Sequence, residues 1–340
     1  MVLSRSQQLT GKSCTPNYRD KLSEPSGSDN LSITTSLSPG MELAVTVDTL
    51  VCGVHFPPDT APVDIGHKAL AVNISDLAAM GARPDWAVMS LVVPRWDEDW
   101  ISAFHRGFNE LAEQHGVRLM AWDIGVGPLA MTIQIHGQVP SGRALRRDCA
   151  RPGDLIFVTG TLGDAGLALG TRFADEGEGF EIPEEDKAFI DRRLACPTPR
   201  VIEGIALRGI ATAAIDISDG LTADLSHIVE ASRACAEELG GLSATIDMEK
   251  LPLSLALQRL PDRIQAWQFA LSSGDDYELC FTVPPDRYRR LQQVAERFPC
   301  PITHIGCMET DSEARPAIRF LGSASGEEAF LSRAGYRHFG

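Results

Sequence analysis

The pattern of apolar and polar positions changes at about residue 40. Residues 1–40 are polar, rich in Ser and Thr and without periodicity, which predicts a poorly ordered or divergent N-terminal segment. From Leu43 the chain alternates, and Leu43-Ala-Val-Thr-Val-Asp48 reads as a strand. Lys68–Gly81 has helical spacing, with Leu70, Ile74, Leu77 and Ala78 on one face. Ala87–Val93 predicts a strand, and Trp100–His115 a helix through Ile101, Phe104, Phe108 and Leu111. Val117–Trp122 and Ala130–Val139 read as two more strands. A turn-rich basic stretch, Pro140–Asp154, then breaks the pattern. Beyond it come a strand at Leu155–Thr159, a glycine turn at Gly160–Ala165, a strand at Ala211–Ile215 and a helix at Leu221–Leu239. Asp247–Ser254 reads as a loop, and Phe269–Val283 as an acidic turn feeding a strand. This mixture predicts an α/β (α+β) chain with an N-terminal α/β domain over 41–140, a linker at 141–153 and a second α/β domain over 154–340.

Composition narrows the partners. The 340 residues, 44% of them hydrophobic, suffice for two cores. A formal charge of -15 argues against nucleic acid and anionic membranes, since both require basic surface. It leaves room for a nucleotide whose contacts run through metal ions. No run of about 18 apolar residues is present, and the N-terminus lacks the apolar core of a signal peptide. Eight cysteines without a C-x-x-C pair read as free thiols in a reducing cytoplasm rather than a zinc site.

Acidic residues recur where the predicted strands end. Ile215-Asp216-Ile217-Ser218-Asp219-Gly220-Leu221 places two carboxylates three residues apart at the end of an apolar strand, where α/β folds put ligands. The alternative is a helix cap by Ser218 or Asp219. Asp224, one turn on, reads as a helix-surface carboxylate. Thr46 and Asp48 share a strand face while Val47 points away, which suits half of a Mg²⁺ site or an Asx turn. His55 lies between Val54 and Phe56 and reads as a packed histidine or a ligand. Asp76 falls in a stretch apolar enough to be buried, and a buried carboxylate requires a cation or strong donors. Asp123 follows a strand, and Asp275, Asp276 and Glu278 follow Gly274. Glu176–Asp186 reads as a solvated acidic loop. One shared site that binds several divalent ions around a polyphosphate explains the strand-end acids together. Gly160-Thr-Leu-Gly-Asp lacks the Lys of a Walker A loop, and no G-x-G-x-x-G opens a helix. Arg143, Arg146, Arg147 and Arg151 in the connector form either a solvated turn or a phosphate clamp at the domain junction.

These residues carry a family resemblance. Asp48-Thr-Leu-Val-Cys-Gly-Val-His-Phe56, Lys68–Ala82, Gly142-Arg-Ala-Leu-Arg-Arg147, Ile215–Leu221, Gly274–Val283 and Gly335–Phe339 resemble, in order, the motifs of thiamine-monophosphate kinases. These belong to the aminoimidazole-ribonucleotide-synthetase-like superfamily, and the likeness covers about residues 40–340. It implies a two-domain fold of that type, with an N-terminal sheet that forms a barrel across a homodimer and a nucleotide in the cleft between domains. It implies ATP-dependent phosphorylation of thiamine monophosphate to thiamine diphosphate with several Mg²⁺ ions, by direct transfer and with no catalytic base. By position, Asp29, Thr46, Asp48, Asp76, Asp123, Asp216 and Asp219 correspond to metal ligands. Trp122, Asp123, Arg147 and Ser218 correspond to ATP contacts, and His55, Asp275 and Tyr336 to substrate contacts. Two motifs depart from the family. Gly27-Ser-Asp-Asn30 stands for an Ile-Gly-Asp-Asp-like run, and Ala121-Trp-Asp-Ile124 for Gly-Gly-Asp-Thr. These departures frame an alternative, a family member that binds nucleotide or thiamine phosphate without efficient turnover.

Overall fold

A computed structural model describes residues 35–173, 182–235, 241–310 and 318–322. The Gly27–Asn30 motif with Asp29, and the C-terminal Tyr336, lie outside the described residues.

Two sheets organise the chain. The first contains β1 (Met41–Val51), β2 (Arg83–Val93), β3 (Arg118–Val126) and β4 (Ala130–Pro140) in the order β1-β4-β2-β3. Helices α1 (Pro62–Ala79) and α2 (Glu98–His115) belong to the same half. The second sheet has β5 (Leu155–Thr159), β6 (Ala213–Asp216), β7 (Leu242–Asp247), β8 (Leu279–Val283), β9 (Ile302–Thr310) and β10 (Ile318–Leu321), ordered β10-β7-β9-β5-β8-β6. Its helices are α3 (Asp164–Phe173), α4 (Glu184–Ala195), α5 (Val201–Leu207), α6 (Leu221–Cys235), α7 (Leu255–Gln258), α8 (Arg263–Ser272) and α9 (Tyr288–Ala295).

Helix α1 is the central element. It is buried nearly all round, as expected of a helix packed on several sides. It packs against β1 and β4, against α2, and against α5 and β6 of the other half. Leu70, Ile74 and Leu77 therefore share one apolar core with Met89 and Ile133 of the first sheet and Leu279 and Phe281 of the second. The helix begins six residues before the periodic stretch that marks it in the sequence, because Pro62 fits the first turn, where no N–H is needed. It crosses α2 closely. A Cβ on Gly107 would lie 1.8 Å from the Val63 carbonyl, and one on Gly66 would lie 1.9 Å from that of Phe104.

Alternation gives the first sheet two different faces. Ala44 and Leu50 of β1 are buried on the helix side, where Thr46 meets α1. The opposite side presents Leu43, Val45 and Val47, which are 45%, 44% and 58% exposed. Two expectations need correction. The segment that ends at Asp186 is not solvated throughout, because Asp186 lies in the first turn of α4, is buried and pairs with Arg259. The stretch Asp247–Ser254 contains a short 3-10 turn at Met248–Lys250, which Asp247 caps by accepting from the Glu249 N–H.

Candidate active site

The site lies where α1 meets the C-terminal end of β6. Thr46, on the helix-facing side of β1, donates its hydroxyl to the Asp76 carboxylate of α1. One residue earlier on α1, Ser75 donates to Asp216 at 2.7 Å. Asp216 ends β6, so β1, α1 and β6 bring Thr46, Asp48, Asp76 and Asp216 together from both halves of the chain.

These carboxyls are not neutralised by the protein. Burial, and then the neighbouring Asp76, push Asp48 up to about 6. Burial raises Asp76 as well, against the Thr46 hydrogen bond and the charge of Arg147. Asp216 is driven well above the usual carboxylate range by burial and then by Asp76, despite the bond from Ser75. Crowded, buried acids of this kind are stabilised by a cation. The donor set is entirely hard oxygen, carboxylates with a threonine hydroxyl, and it fits Mg²⁺ better than a softer metal. Arg147 is the connector arginine whose charge reaches this cluster, whereas Arg146 pairs with the neighbouring Asp148.

The loop after β6 supplies the next wall. Ser218 and Asp219 follow Asp216, and their N–H groups and that of Gly220 all donate to Asp224, at 3.0, 3.0 and 3.1 Å. Asp224 is therefore no surface carboxylate. It is buried, raised to about 7 by burial and by Asp219, and it anchors the loop to the start of α6. The ligand atoms of Asp219, Asp224 and His227 lie within 4.8 Å of one another. Asp224 is engaged by backbone donors, however, and an imidazole suits Mg²⁺ poorly.

The acidic turn after α8 packs beside this loop. The N–H of Asp275 donates to the Ser218 carbonyl and that of Tyr277 to the Ile217 carbonyl, both at 2.8 Å. Gly274 allows this approach: its φ is +71°, and a Cβ would meet the Ser218 carbonyl at 2.3 Å. The three acids of the turn then part company. Asp276 is buried and takes the Gly163 N–H at 2.9 Å. Glu278 is buried and accepts from Thr159 at 2.6 Å and from Arg193 at 2.9 Å, and also pairs with Arg200. Asp275 alone faces the site, held by the Tyr277 hydroxyl at 3.0 Å and the Lys68 ammonium at 3.1 Å.

The remaining residues separate. His55 sits in the turn after β1, where its Nδ1 accepts the Val51 N–H at 3.0 Å. Trp122 and Asp123 lie on β3, the sheet edge opposite β1. The Trp122 ring packs on the helix side, edge to face with His105 of α2 at 4.8 Å. Asp123 pairs in register with Ser90 and is exposed on the other face, away from Asp48 and Asp76. Sequence reasoning gave no role to Lys68, Ser75 or Tyr277. Lys68 alone carried a signal, a cation at the head of a stretch otherwise apolar enough to be buried.

Comparison with known proteins places this geometry. Residues 27–139 match the AIR synthase related protein N-terminal domain, and residues 151–318 match its C-terminal domain. The chain is 45% identical over 299 residues to thiamine-monophosphate kinase of Salmonella typhimurium, covering 87% of this chain and 86% of the relative. It is similar in structure to thiamine-monophosphate kinase from Stenotrophomonas maltophilia, with a TM-score of 0.76 at 45% identity over 84% of this chain and 87% of that one. It is also similar to AaThiL complexed with AMPPCP and TMP, with a TM-score of 0.72 at 30% identity over 89% of each chain. With identity at this level across most of both chains, and a fold shared over most of their length, the protein belongs to the thiamine-monophosphate kinase family of AIR synthase related proteins.

Proposed function

We propose that this protein transfers the γ-phosphoryl group of ATP to the phosphate of thiamine monophosphate, giving thiamine diphosphate, with several Mg²⁺ ions in the site. The observation that carries this reading is the convergence of Thr46, Asp48, Asp76 and Asp216 from two halves of the chain on one unneutralised oxygen-donor cluster. The relative complexed with AMPPCP and TMP supports the pairing of a nucleotide with a thiamine phosphate. Bound at Thr46, Asp48, Asp76, Asp216 and Asp219, Mg²⁺ supplies the neutralisation that phosphoryl transfer between two anions needs.

The chain itself contributes position and charge. Arg147 lies on the Asp76 side and binds nucleotide phosphate, and Ser218 contributes a polar wall there. His55 and Asp275 flank the acceptor at the other end. The acceptor oxygen is already an anion, so no side chain has to remove a proton.

The site is completed by a second copy. β1 and β3 are opposite edges of one sheet, about 14 Å apart at three inter-strand spacings, so Asp123 does not reach the cluster of its own subunit. The exposed Leu43, Val45 and Val47 favour a homodimer in which two such sheets close into a barrel. That closure sets β3 of one copy beside β1 of the other, so the Trp122–Asp123 segment borders the partner's cluster, with Trp122 on the face that carries Asp48 and Asp123 on the barrel side. No helix among the described residues is long and apolar enough to cross a membrane, and we place the protein in the cytoplasm.

The reading without turnover is weakened because the Trp122 ring is already packed against His105 of α2 within its own subunit. The test is formation of ADP and thiamine diphosphate from thiamine monophosphate, ATP and Mg²⁺, beside Asp219→Asn. Turnover by the native chain that is lost in the variant is expected. A folded native chain that binds Mg-ATP yet forms no product would overturn the kinase reading.

A further inference from the structure

Lys68 is a buried cation without a place in the reaction so far. Its side chain is 3% exposed, and its ammonium crosses from α1 to the opposite half of the molecule to donate to Asp275 Oδ2. An ammonium has three donors, and Asp275 takes one. The other oxygen of Asp275 accepts from Tyr277, so the carboxylate is fixed on both sides.

The backbone marks the same spot independently. Asp275 and Tyr277 hold φ values of +60° and +50°, left-handed conformations that non-glycine residues adopt at a cost. Hydrogen bonds to Ile217 and Ser218 keep the turn in place, and the buried Arg193–Glu278–Arg200 network holds its far end. This strained turn points one carboxylate at one lysine. Charge gives the arrangement a direction. An acceptor phosphate must approach the cluster of Asp48, Asp76 and Asp216, which repel it. Arg147 offsets this at the Asp76 end, and Lys68 is the cation at the Asp275 end.

We propose that Lys68 is a catalytic residue that binds the phosphate of thiamine monophosphate with the donors Asp275 leaves free, an inference that rests on the kinase reading above. Asp275 acts as its positioning partner and holds the ammonium in place before substrate arrives. In the transfer, the bond from the γ-phosphorus to the β,γ-bridging oxygen breaks and ADP leaves with the electron pair. An oxygen of the acceptor phosphate forms the new bond to phosphorus. No proton moves, so Lys68 stays charged throughout.

Calorimetric titration with thiamine monophosphate, thiamine and Mg-AMPPCP, combined with steady-state kinetics, tests this on the native chain, Lys68→Met, Lys68→Arg and Lys68→Met/Asp275→Asn. The double variant leaves no unpaired carboxylate behind. Lys68→Met and the double variant are expected to weaken thiamine monophosphate by about 30-fold. For Lys68→Met, affinity for thiamine, which lacks the phosphate, and for Mg-AMPPCP should stay within roughly two-fold. Lys68→Arg should recover part of the loss. Equal losses for thiamine and thiamine monophosphate would make Lys68 a structural clasp, and no loss would remove it from the site; either overturns the proposal. A native chain that neither binds nor phosphorylates thiamine monophosphate would instead overturn the kinase reading itself.

Discussion

Glu278 shows how one residue can matter without touching the chemistry. Its carboxylate is fully buried between Arg193 and Arg200 and also takes the Thr159 hydroxyl. Two guanidinium groups in the interior depend on it, and removing one partner of such a set leaves buried charge uncompensated. Glu278→Gln is expected to destabilise the fold by about 3 kcal/mol, read as a lower urea midpoint at unchanged slope. A loss below about 1 kcal/mol would mean that the arginines find other partners. The neighbouring Asp275 belongs to a different class. It is partly open to solvent and faces Lys68, so its charge is available for function.

Helix α2 docks on the first sheet through an unusual contact. His105 is buried between Phe104 and Trp122 and lies edge-on to both rings. Burial pushes the imidazole down from 6.5 to about 4, so the folded protein holds it neutral. The unfolded chain takes up the proton first as pH falls. The stability contributed by the neutral imidazole is thus fully present above pH 6.5 and is lost as pH drops toward 4. Over that window the loss is about 3 kcal/mol. His105→Leu is expected to flatten this part of the stability profile, measured by denaturant unfolding at a series of pH values. An unchanged slope would show that other groups govern acid unfolding.

At the scale of the molecule, the outer face of the first sheet is the least explained surface of a single chain. Val45 and Val47 project from an edge strand whose other side carries Thr46 and Asp48. Val45→Lys and Val47→Asp are therefore expected to yield a monomer in sedimentation velocity. If β3 of one copy completes the site of the other, turnover falls with dimerisation and returns when protein concentration rises. A monomeric variant with full turnover would restrict the site to one chain. The shared core around α1 has a further consequence: the two sheets are not independent bodies, because one apolar core joins Leu77 of α1 to residues of both.

The sequence by itself determined what depends on neighbours along the chain. Period-two alternation set the face that carries Thr46 and Asp48, and helical spacing marked α1 and α2. Acids at predicted strand ends drew attention to one site, although only Asp216 ends its strand and Asp48 and Asp123 lie within the longer β1 and β3; the motifs around Lys68–Ala82 and Gly274–Val283 pointed to the family. Tertiary structure decided which carboxylates find partners, since that depends on residues far apart in sequence. Asp224 looked like a surface residue because its three donors come from a loop whose path sequence does not reveal. From spacing alone Asp276 and Glu278 looked equivalent to Asp275, which only the family resemblance singled out; Gly163, Arg193 and Arg200 engage the other two. Strand order, set by long-range pairing, put Asp123 on the edge opposite Asp48. Lys68 became legible only when α1 was laid against the turn at Asp275, because a buried cation acquires its meaning from the anion opposite it.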